Sequence, residues 1–591
     1  MKLVFPRFKG HVAFVLAFLL MGTAIASTPL YAEGWFISHD IAPHLLRIFA
    51  TCHEVRLGDL YPRWLSLALY GKGLPDLNFY SPAFYLVVSW LHVLGIPLSL
   101  ALKALCFSLS FLGALGTYFW VKKYTNAPGA LISATLYLFI PYRLLDLYVR
   151  GALPEFAALS LLPWLFYAID RSFSADKARL GIFLTALISA AIVVTHHLSA
   201  IIVMPFGLAY FGWHVVAARS DKRKLRVALL GPLAGAGLSA FYWLPVVTEM
   251  KHLAYFENPV SVWDHFVYPP QWFDSKWDFG LSVPGPEDGM SFQIGVVLIS
   301  TVLLAIPTLF WMPRQARKFG LVFLGLGSLG LFLTAHYSST LYELIYPLQL
   351  IQFPWRFLGP ATLFLVAFSG LATTAPWLEK FSWFRWALLA VVFVASVNLS
   401  SGQRAVRLQE AIDLDALEKE TIATRQVGGK GMAREFMPKW ANFDPDIAIK
   451  STLRVEPSQY LGAISHFQTK GATMTFSVAA DQTLTLTVPW YYFPGWQATA
   501  NGSQILVATG QDGFITFNLP PGVHKVKIWF GSTWPRTTGW IAALTTLFLL
   551  LMNLTMKRQG YGMRVKFCRM QESESEATRE SQDSASNQGE K

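Results

Sequence analysis

Charged residues are scarce in this 591-residue chain. They make up 14% of it and hydrophobic residues make up 53%, whereas soluble proteins carry roughly 25% charged residues. This deficit, with a mean hydropathy of +0.40, argues against a soluble protein and indicates an integral membrane protein. The net charge of +12 comes from Lys and Arg that stand mostly in short segments between apolar runs. They therefore indicate membrane topology and not nucleic-acid binding.

Cysteine is also scarce. The three cysteines, Cys52, Cys106 and Cys568, lie far apart and form no CxxC or CxxH spacing. A disulfide framework and a zinc site are therefore both unexpected. Aromatic residues, by contrast, make up 15% of the chain and include 21 Trp, as expected where many helix ends meet the membrane interface.

Long apolar runs dominate the first 400 residues, and one more lies near residue 550. The first run follows a basic N-terminus, as in a signal peptide, but it is long enough to cross a bilayer, so we expect an uncleaved helix. We predict about twelve transmembrane helices, at 12–33, 100–121, 129–146, 156–170, 180–195, 198–217, 227–247, 291–312, 319–335, 358–376, 385–400 and 537–556.

The apolar segment 83–96 determines the orientation. It is short for a crossing, and we predict a helix that dips into the membrane without spanning it. The basic clusters then all lie on the side of the basic N-terminus, as the positive-inside rule requires. These clusters are 122–123, 171–179, 219–226, 314–318, 380–385 and 557–569. Both termini of this multi-pass protein are then expected to be cytoplasmic.

The polar segments divide the chain. We expect a transmembrane domain over 1–400 with an outer loop at 34–99, and an extracytoplasmic domain over 401–536. Its helix-compatible beginning, LQEAIDLDALEKE, is followed from about residue 446 by alternating segments such as TMTFSVAA and TLTLTVPWYYF. Period-2 alternation broken by Asn-Gly and Pro-Pro-Gly turns predicts a small antiparallel β-sandwich. After the last span, 537–556, the tail 557–591 is basic and then low in complexity, which predicts disorder.

Four aromatic residues of the sandwich could form a carbohydrate platform, but core and rim positions are the favoured interpretation. They are Trp490, Tyr491, Tyr492 and Trp496. We expect this domain to hold or recognise an acceptor near the membrane.

Titratable residues are concentrated in the outer loop, directly after the first span. Asp40 stands next to His39, four residues before His44 and seven before Arg47. In a helix, residues at these spacings share one face, so His44 or Arg47 could keep the Asp40 carboxylate ionised. The alternative is that Asp40 is the N-cap of a surface helix.

Further polar candidates lie at the predicted outer ends of other spans. Arg150 and Glu155 could form an ion pair or contact a substrate. His196 could bind substrate or only hydrogen-bond its own turn, and Glu249 could line a cavity or lie at the surface. Arg356 follows Trp355 at the expected headgroup level, and Gln352 stands four residues earlier. The guanidinium of Arg356 suits a phosphate. The alternative is an ordinary interfacial arginine that snorkels.

Several motifs along the chain resemble a known family. GWFISHDIAPHLLRIF, YPRWLSLALYGKGLPDLNFYSPAFY, YVRGALPEF, LPVVTE, QFPWRFL and YYFPGWQATANG resemble bacterial 6-pyruvoyl-tetrahydropterin-synthase-related and YfhO-type polytopic membrane proteins, within the GT-C glycosyltransferase superfamily. The resemblance covers most of the chain except its tail. It implies a mainly α, GT-C-like polytopic membrane fold with a C-terminal extracytoplasmic β-sandwich.

The resemblance also implies an activity. GT-C enzymes move a sugar from a polyprenyl-phosphate donor to an acceptor on the outer face, with an acidic residue of the first outer loop acting at the acceptor. That position matches Asp40, which would be the general base of an inverting transfer, with Arg356 and Arg150 on the donor phosphate. The acceptor would be a cell-envelope glycan, a lipid or a protein. Some GT-C enzymes use a divalent cation and others do not; Asp40 could share one with Glu155 or Glu249.

A different class of function uses the same fold. The protein could be a non-catalytic membrane transporter, or an assembly partner for lipid-linked glycans, because a fold alone does not establish an activity. The spans contain few charges, which argues against transport, since transport routes usually carry them.

Overall fold

The fold is known from a computed structural model that describes residues 7–174, 177–217, 222–254, 260–399, 407–424, 436–441, 452–510 and 512–555. In chain order its helices are α1 (Arg7–Ala26), α2 (Ile41–Arg56), α3 (Ala68–Gly71), α4 (Asp76–Phe79), α5 (Ala83–Val93), α6 (Leu98–Val121), α7 (Ala127–Leu138), α8 (Pro141–Leu145), α9 (Leu153–Ser172), α10 (Ala178–Thr195), α11 (His197–Ala217), α12 (Lys222–Leu238), α13 (Ala240–Glu249), α14 (Val296–Thr308), α15 (Arg314–Thr334), α16 (Ser339–Leu344), α17 (Tyr346–Gln349), α18 (Leu358–Leu371), α19 (Pro376–Lys380), α20 (Ser382–Leu399), α21 (Leu414–Thr424) and α22 (Trp534–Thr555).

Each predicted span overlaps at least one of these helices. Within the described residues, eight helical segments are long and apolar enough to cross a membrane, and a ninth results if α12 and α13, bent by 66°, count as one span. This is fewer than the predicted twelve. The difference arises because α14 has only 13 residues, the apolar part of α1 is short, and α9 carries charged residues at both ends.

Two helices form the centre of the bundle. The span that includes α7 is wholly buried, and the span that includes α18 is 89% buried. Small residues allow the close approach of their backbones: Gly129 and Gly370 meet where α7 crosses α18, and a Cβ on Gly330 of α15 would lie 2.6 Å from that of Ala361. Such small-residue contacts are the usual way in which membrane helices associate.

The outer loop forms a folded layer beneath the C-terminal domain. Strand β1 (Trp35–Ile37) pairs antiparallel with β2 (Arg407–Ile412), so the expected helical beginning of the outer domain is a strand followed by α21.

Segment 83–96 contains the 11-residue helix α5, which is too short for a crossing. The predicted disordered tail lies outside the described residues.

The rest of the outer domain is the predicted sandwich. Its strands are β3 (Arg454–Glu456), β4 (Ile464–Lys470), β5 (Thr473–Ala480), β6 (Leu484–Tyr491), β7 (Trp496–Ala500), β8 (Ser503–Ile505), β9 (Ala508–Thr509), β10 (Phe514–Leu519) and β11 (Gly522–Phe530). They form one sheet in the order β3-β6-β10-β9 and another in the order β4-β5-β11-β7-β8, with antiparallel neighbours.

The aromatic residues of the sandwich are mainly in its core. Trp490, Tyr491 and Trp496 are all buried, and the rings of Trp490 and Trp496 stack at 5.0 Å. Trp64 of the outer loop meets Trp496 edge-on, also at 5.0 Å. The core of the sandwich is therefore continuous with the outer loop, and the packing role expected for these residues agrees with their burial.

Glu54, near the end of α2, is buried at this junction. Its Oε1 accepts hydrogen bonds from the hydroxyl and, at 2.9 Å, from the backbone N–H of Ser66. A Cβ on Gly471, in the β4–β5 turn, would lie 2.5 Å from its Oε2. Burial raises the pKa of Glu54 from 4.5 to about 7, because desolvation disfavours the carboxylate.

Stability should therefore depend on pH through Glu54. The folded state binds this proton more tightly than the unfolded state, so the stabilisation is complete below about pH 4.5 and is lost as the pH rises through about 7. We expect the free energy of unfolding to be about 2 kcal/mol lower at pH 8 than at pH 5.5, and the unfolding temperature to fall accordingly. Glu54→Gln should reduce this dependence, measured by thermal unfolding of the purified protein in detergent. An unchanged pH dependence in the variant would contradict the assignment.

Candidate functional site

The backbone of the outer loop is attached to the end of a predicted span. The N–H of His39 donates to the carbonyl of Val149 at 3.0 Å, and that of Asp40 donates to the carbonyl of Arg150 at 2.8 Å. A π-helical turn, Asp146–Arg150, precedes this contact, and Gly151 follows it with φ of +67°. A Cβ on Gly151 would collide with the Ser38 hydroxyl, so glycine permits the close approach.

Asp40 immediately precedes α2, but its side chain does not cap that helix. Its carboxylate is half-buried and accepts no hydrogen bond from the residues that the structure describes. Arg150 lies close enough to interact with it electrostatically. The N-cap alternative therefore accounts for the position of Asp40 in the chain but not for its side chain, which is free to accept a hydrogen bond from a ligand.

A chain of buried ion pairs runs from Arg150 to Arg356. Nη1 of Arg150 donates to Asp146 and, at 3.1 Å, to Oε2 of Glu155. The same Oε2 accepts from Nε of Arg356, again at 3.1 Å. Tyr142 donates its hydroxyl to Oε1 of Glu155 at 2.5 Å. Glu155 thus joins two arginines that are 206 positions apart in the printed sequence.

The arginines are held by further contacts from the segment that precedes α18. The Cζ of Arg150 lies 4.2 Å from the ring centre of Trp355. Nη1 of Arg356 donates to the carbonyl of Ile351 at 2.8 Å and to Oε1 of Gln352 at 3.4 Å. Gln352 has φ of +64°, an uncommon conformation for a residue with a side chain. The predicted group Arg150, Glu155, Gln352, Trp355 and Arg356 is thus together in space.

The chemical capacity of this cluster follows from what remains unbonded. Nη2 of Arg356 donates to no described residue, while Nη1 of Arg150 is committed to two carboxylates. Nε and Nη2 of Arg150 likewise donate to no described residue, so the site offers the Asp40 carboxylate and unbonded N–H groups on both arginines. A carboxylate can accept a proton and a guanidinium can bind an anion, so the site has the groups that a displacement with an anionic leaving group needs.

The other predicted residues have partners around the cluster or beneath the sandwich. His196 shares a 2.7 Å hydrogen bond with Ser199 and lies within electrostatic range of Glu155 and Arg356. His39 bonds through Nε2 with the carbonyl of Phe279 at 3.0 Å. Glu249 accepts from Arg536 at 2.9 Å and from Asn78 at 2.8 Å, and so joins the outer loop to α22.

His44 and Arg47 are on α2, as expected, but engage the outer loop. Nδ1 of His44 and the hydroxyl of Tyr85 share a hydrogen bond of 2.6 Å. Burial, reinforced by the charge of Arg47, lowers the pKa of His44 well below its usual value, so this imidazole is neutral near pH 7. Arg47 donates to buried Asp76 at 2.8 Å. The positive charge that interacts with Asp40 is therefore that of Arg150, and not that of His44 or Arg47.

Two members of the cluster were not predicted as site residues. Asp146 is fully buried and pairs with Arg150 four positions later, a spacing that sequence alone could have suggested. Tyr142 carries no sequence signal for its contact with Glu155. Within the described ranges, no group of three His, Cys, Asp or Glu side chains is placed to hold a metal.

Comparison with protein families gives a match over more than half of the chain. The family model described as "6-pyruvoyl-tetrahydropterin synthase related domain; membrane protein" matches residues 77–406 of the 591. Arg150, Glu155 and Arg356 fall within the match, whereas Asp40 precedes it.

Individual proteins match more weakly. An uncharacterised protein of Lactococcus lactis subsp. cremoris (strain MG1363) is 24% identical over 289 residues, which cover 46% of this chain and 45% of the relative. The chain therefore spans less than half of that relative. A cryo-EM structure of the arabinofuranosyltransferase AftD from Mycobacteria superposes with a TM-score of 0.46 at 14% identity, covering 89% of this chain and 40% of that protein.

Gly151 provides a test of the backbone contact. Gly151→Ala adds a Cβ at a positive φ that also collides with Ser38, and we expect a loss of about 1 to 3 kcal/mol of stability. Gly207→Ala is the matched control, because a Cβ there meets nothing within 4 Å. Thermal unfolding in detergent measures both variants. A Gly151→Ala protein that unfolds at the wild-type temperature would contradict the contact.

Proposed function

This chain belongs to the 6-pyruvoyl-tetrahydropterin synthase related membrane proteins, and from that premise we propose that it is a membrane glycosyltransferase. In this proposal it moves a sugar from a polyprenyl-phosphate donor to a cell-envelope glycan, lipid or protein acceptor. The observation that supports the proposal most directly is the Asp40 carboxylate, which is half-buried, has no hydrogen-bond partner among the described residues, and lies beside the Arg150–Glu155–Arg356 cluster.

The proposed reaction is a single displacement. The Asp40 carboxylate takes the proton of an acceptor hydroxyl while the hydroxyl oxygen forms a bond to the anomeric carbon of the sugar. The bond from that carbon to the phosphate oxygen breaks, and its electron pair leaves with the polyprenyl phosphate. Attack opposite the leaving group inverts the anomeric centre.

Arg356 is proposed to bind the departing phosphate. Its Nη2 is uncommitted, and burial of 92% of the side chain, which is 8% exposed, strengthens a charge-assisted hydrogen bond. Glu155 and Trp355 position this guanidinium. Arg150, which the sequence also suggested for the phosphate, is proposed to contribute its charge while its Nη1 remains on Asp146 and Glu155.

The proposed location follows from the orientation of the spans. The chain is a multi-pass membrane protein by family and by its apolar helices. We place it in a bacterial inner membrane with the basic segments in the cytoplasm. Asp40, the Arg150–Glu155–Arg356 cluster and the sandwich then lie on the extracytoplasmic face, where a lipid-linked donor would present its sugar.

Asp40→Asn tests the base. The substitution keeps the shape of the side chain and removes its basicity, so we expect a decrease in kcat of about 10²- to 10⁴-fold. Asp59→Asn is the matched control, because Asp59 lies in the same loop and is exposed. The measurement is transfer of labelled sugar from a polyprenyl-phosphate donor by membranes that contain equal amounts of each protein. Wild-type transfer by Asp40→Asn would disprove the role.

Arg356→Gln tests the phosphate contact. We expect kcat to fall about 10²- to 10³-fold, because one stabilising donor of the transition state is removed. Arg356→Lys should recover part of kcat, since it retains the charge without the planar fork. Arg56→Gln, at a 39% exposed arginine of the outer loop, is the control. If kcat in the two Arg356 variants simply follows their thermal stability, the arginine has a structural role only.

One observation favours the alternative of a non-catalytic transporter or assembly partner. Arg143, Asp146 and Arg150 are all buried within a candidate span, and buried charges of this kind often line transport routes. In that case Asp40→Asn would leave function intact, whereas Asp146→Asn would abolish it. The same pair of variants therefore distinguishes the two functions.

A further inference from the structure

The five-stranded sheet of the sandwich has one side in the core and one side in solvent. Along β11, Val526 and Ile528 are fully buried, whereas Lys525 and Lys527 between and beside them are exposed. Strand alternation sends Trp529 to the same side as the lysines, where it is half-buried. We call this exposed side of the sheet the lysine face.

The strand register aligns polar side chains across the whole sheet. Direct pairing gives a row formed by Gln468, Thr475, Lys527, Thr499 and Gln504, one from each strand. With strands about 4.8 Å apart, this row extends about 19 Å. Residues paired across antiparallel strands point to the same side, so the row is a continuous line of hydrogen-bonding groups.

A second row lies beside the first. It is formed by Lys470, Thr473, Trp529 and Gln497, and Ser477 pairs with Lys525 on the other flank. Nζ of Lys527 lies 5.3 Å from the ring centre of Trp529. The lysine face thus combines hydroxyls, amides, one aromatic ring and three cations on one side of the sheet.

Negative charge is missing from the lysine face. None of its paired positions holds Asp or Glu, and within the described residues none of its three lysines forms an ion pair. The exposed side of the other sheet differs, because Arg454 pairs with Asp512 at 3.5 Å and Glu456 is also exposed. The lysine face therefore carries uncompensated positive charge.

We propose that the lysine face binds an anionic polysaccharide, which on the proposed function is the acceptor of the transferase. Thr, Ser and Gln side chains both donate to and accept from sugar hydroxyls. An aromatic ring packs against the apolar face of a sugar, and the ammonium groups of Lys525 and Lys527 pair with carboxylates or phosphates on the polymer. The row length of about 19 Å suits several consecutive sugar units.

The test is equilibrium binding of the full chain, in detergent, to two polymers. Immobilised protein is titrated with polygalacturonate, which is anionic, and with dextran, which is neutral. We expect Lys525→Gln/Lys527→Gln to weaken polygalacturonate binding about tenfold, since each exposed charge contributes up to about 1 kcal/mol. Arg454→Gln, on the opposite sheet, should bind within twofold of wild type. Equal thermal unfolding of the proteins verifies that the variants are folded.

Three results would overturn the proposal. Wild-type binding by the double variant, or equal binding of dextran and polygalacturonate, would show that charge has no part in binding. Binding to vesicles that contain phosphatidylglycerol, with the same dependence on both lysines, would make membrane phosphate the ligand.

The binding assay is independent of catalysis. It contains no donor, and the Asp40→Asn protein should bind polygalacturonate as wild type does. If the proposed transferase activity is disproved, the polymer-binding result still stands. If the polymer does not bind, the proposed role of Asp40 is unaffected.

Discussion

The backbone hydrogen bond from Asp40 to the carbonyl of Arg150 is the contact on which the candidate site depends. This bond attaches the outer loop, which contains Asp40, to the segment that contains Arg150. The contact requires Gly151, because any side chain there would occupy the space of Ser38. Without it Asp40 would be a surface residue at the start of a helix, with no reason to lie beside Arg150.

Glu155 supplies the second half of the site by bonding to two guanidiniums through one oxygen. Burying an isolated charge costs several kcal/mol, and the arrangement offsets that cost by pairing each charge with at least one opposite charge. Arg150 is the more fully compensated arginine, since Asp146 also pairs with it. Arg356 pairs with one carboxylate only, Glu155, so its charge is the less compensated of the two, and it is therefore the arginine better suited to an anionic ligand.

The sequence predicted those features that depend on local pattern. Apolar runs located the helices, period-2 alternation located the sandwich, and the short segment 83–96 was correctly predicted to be too short to span, as α5 shows. Contacts between distant segments were inaccessible. Nothing in the spacing of Glu155 and Arg356 indicates that they meet. The helical face predicted for Asp40, His44 and Arg47 also gave no sign of their partners. His44 bonds with Tyr85, and Arg47 bonds with Asp76.

Helix α2 contacts both the candidate site and the sandwich. Asp40 precedes its first residue, and Glu54 near its other end is buried against the β4–β5 turn of the sandwich. A helix of 16 residues is about 24 Å long. The sandwich is thus supported by the same rigid element that positions the carboxylate. The position of the sandwich relative to Asp40 therefore depends on α2, because this helix contacts both.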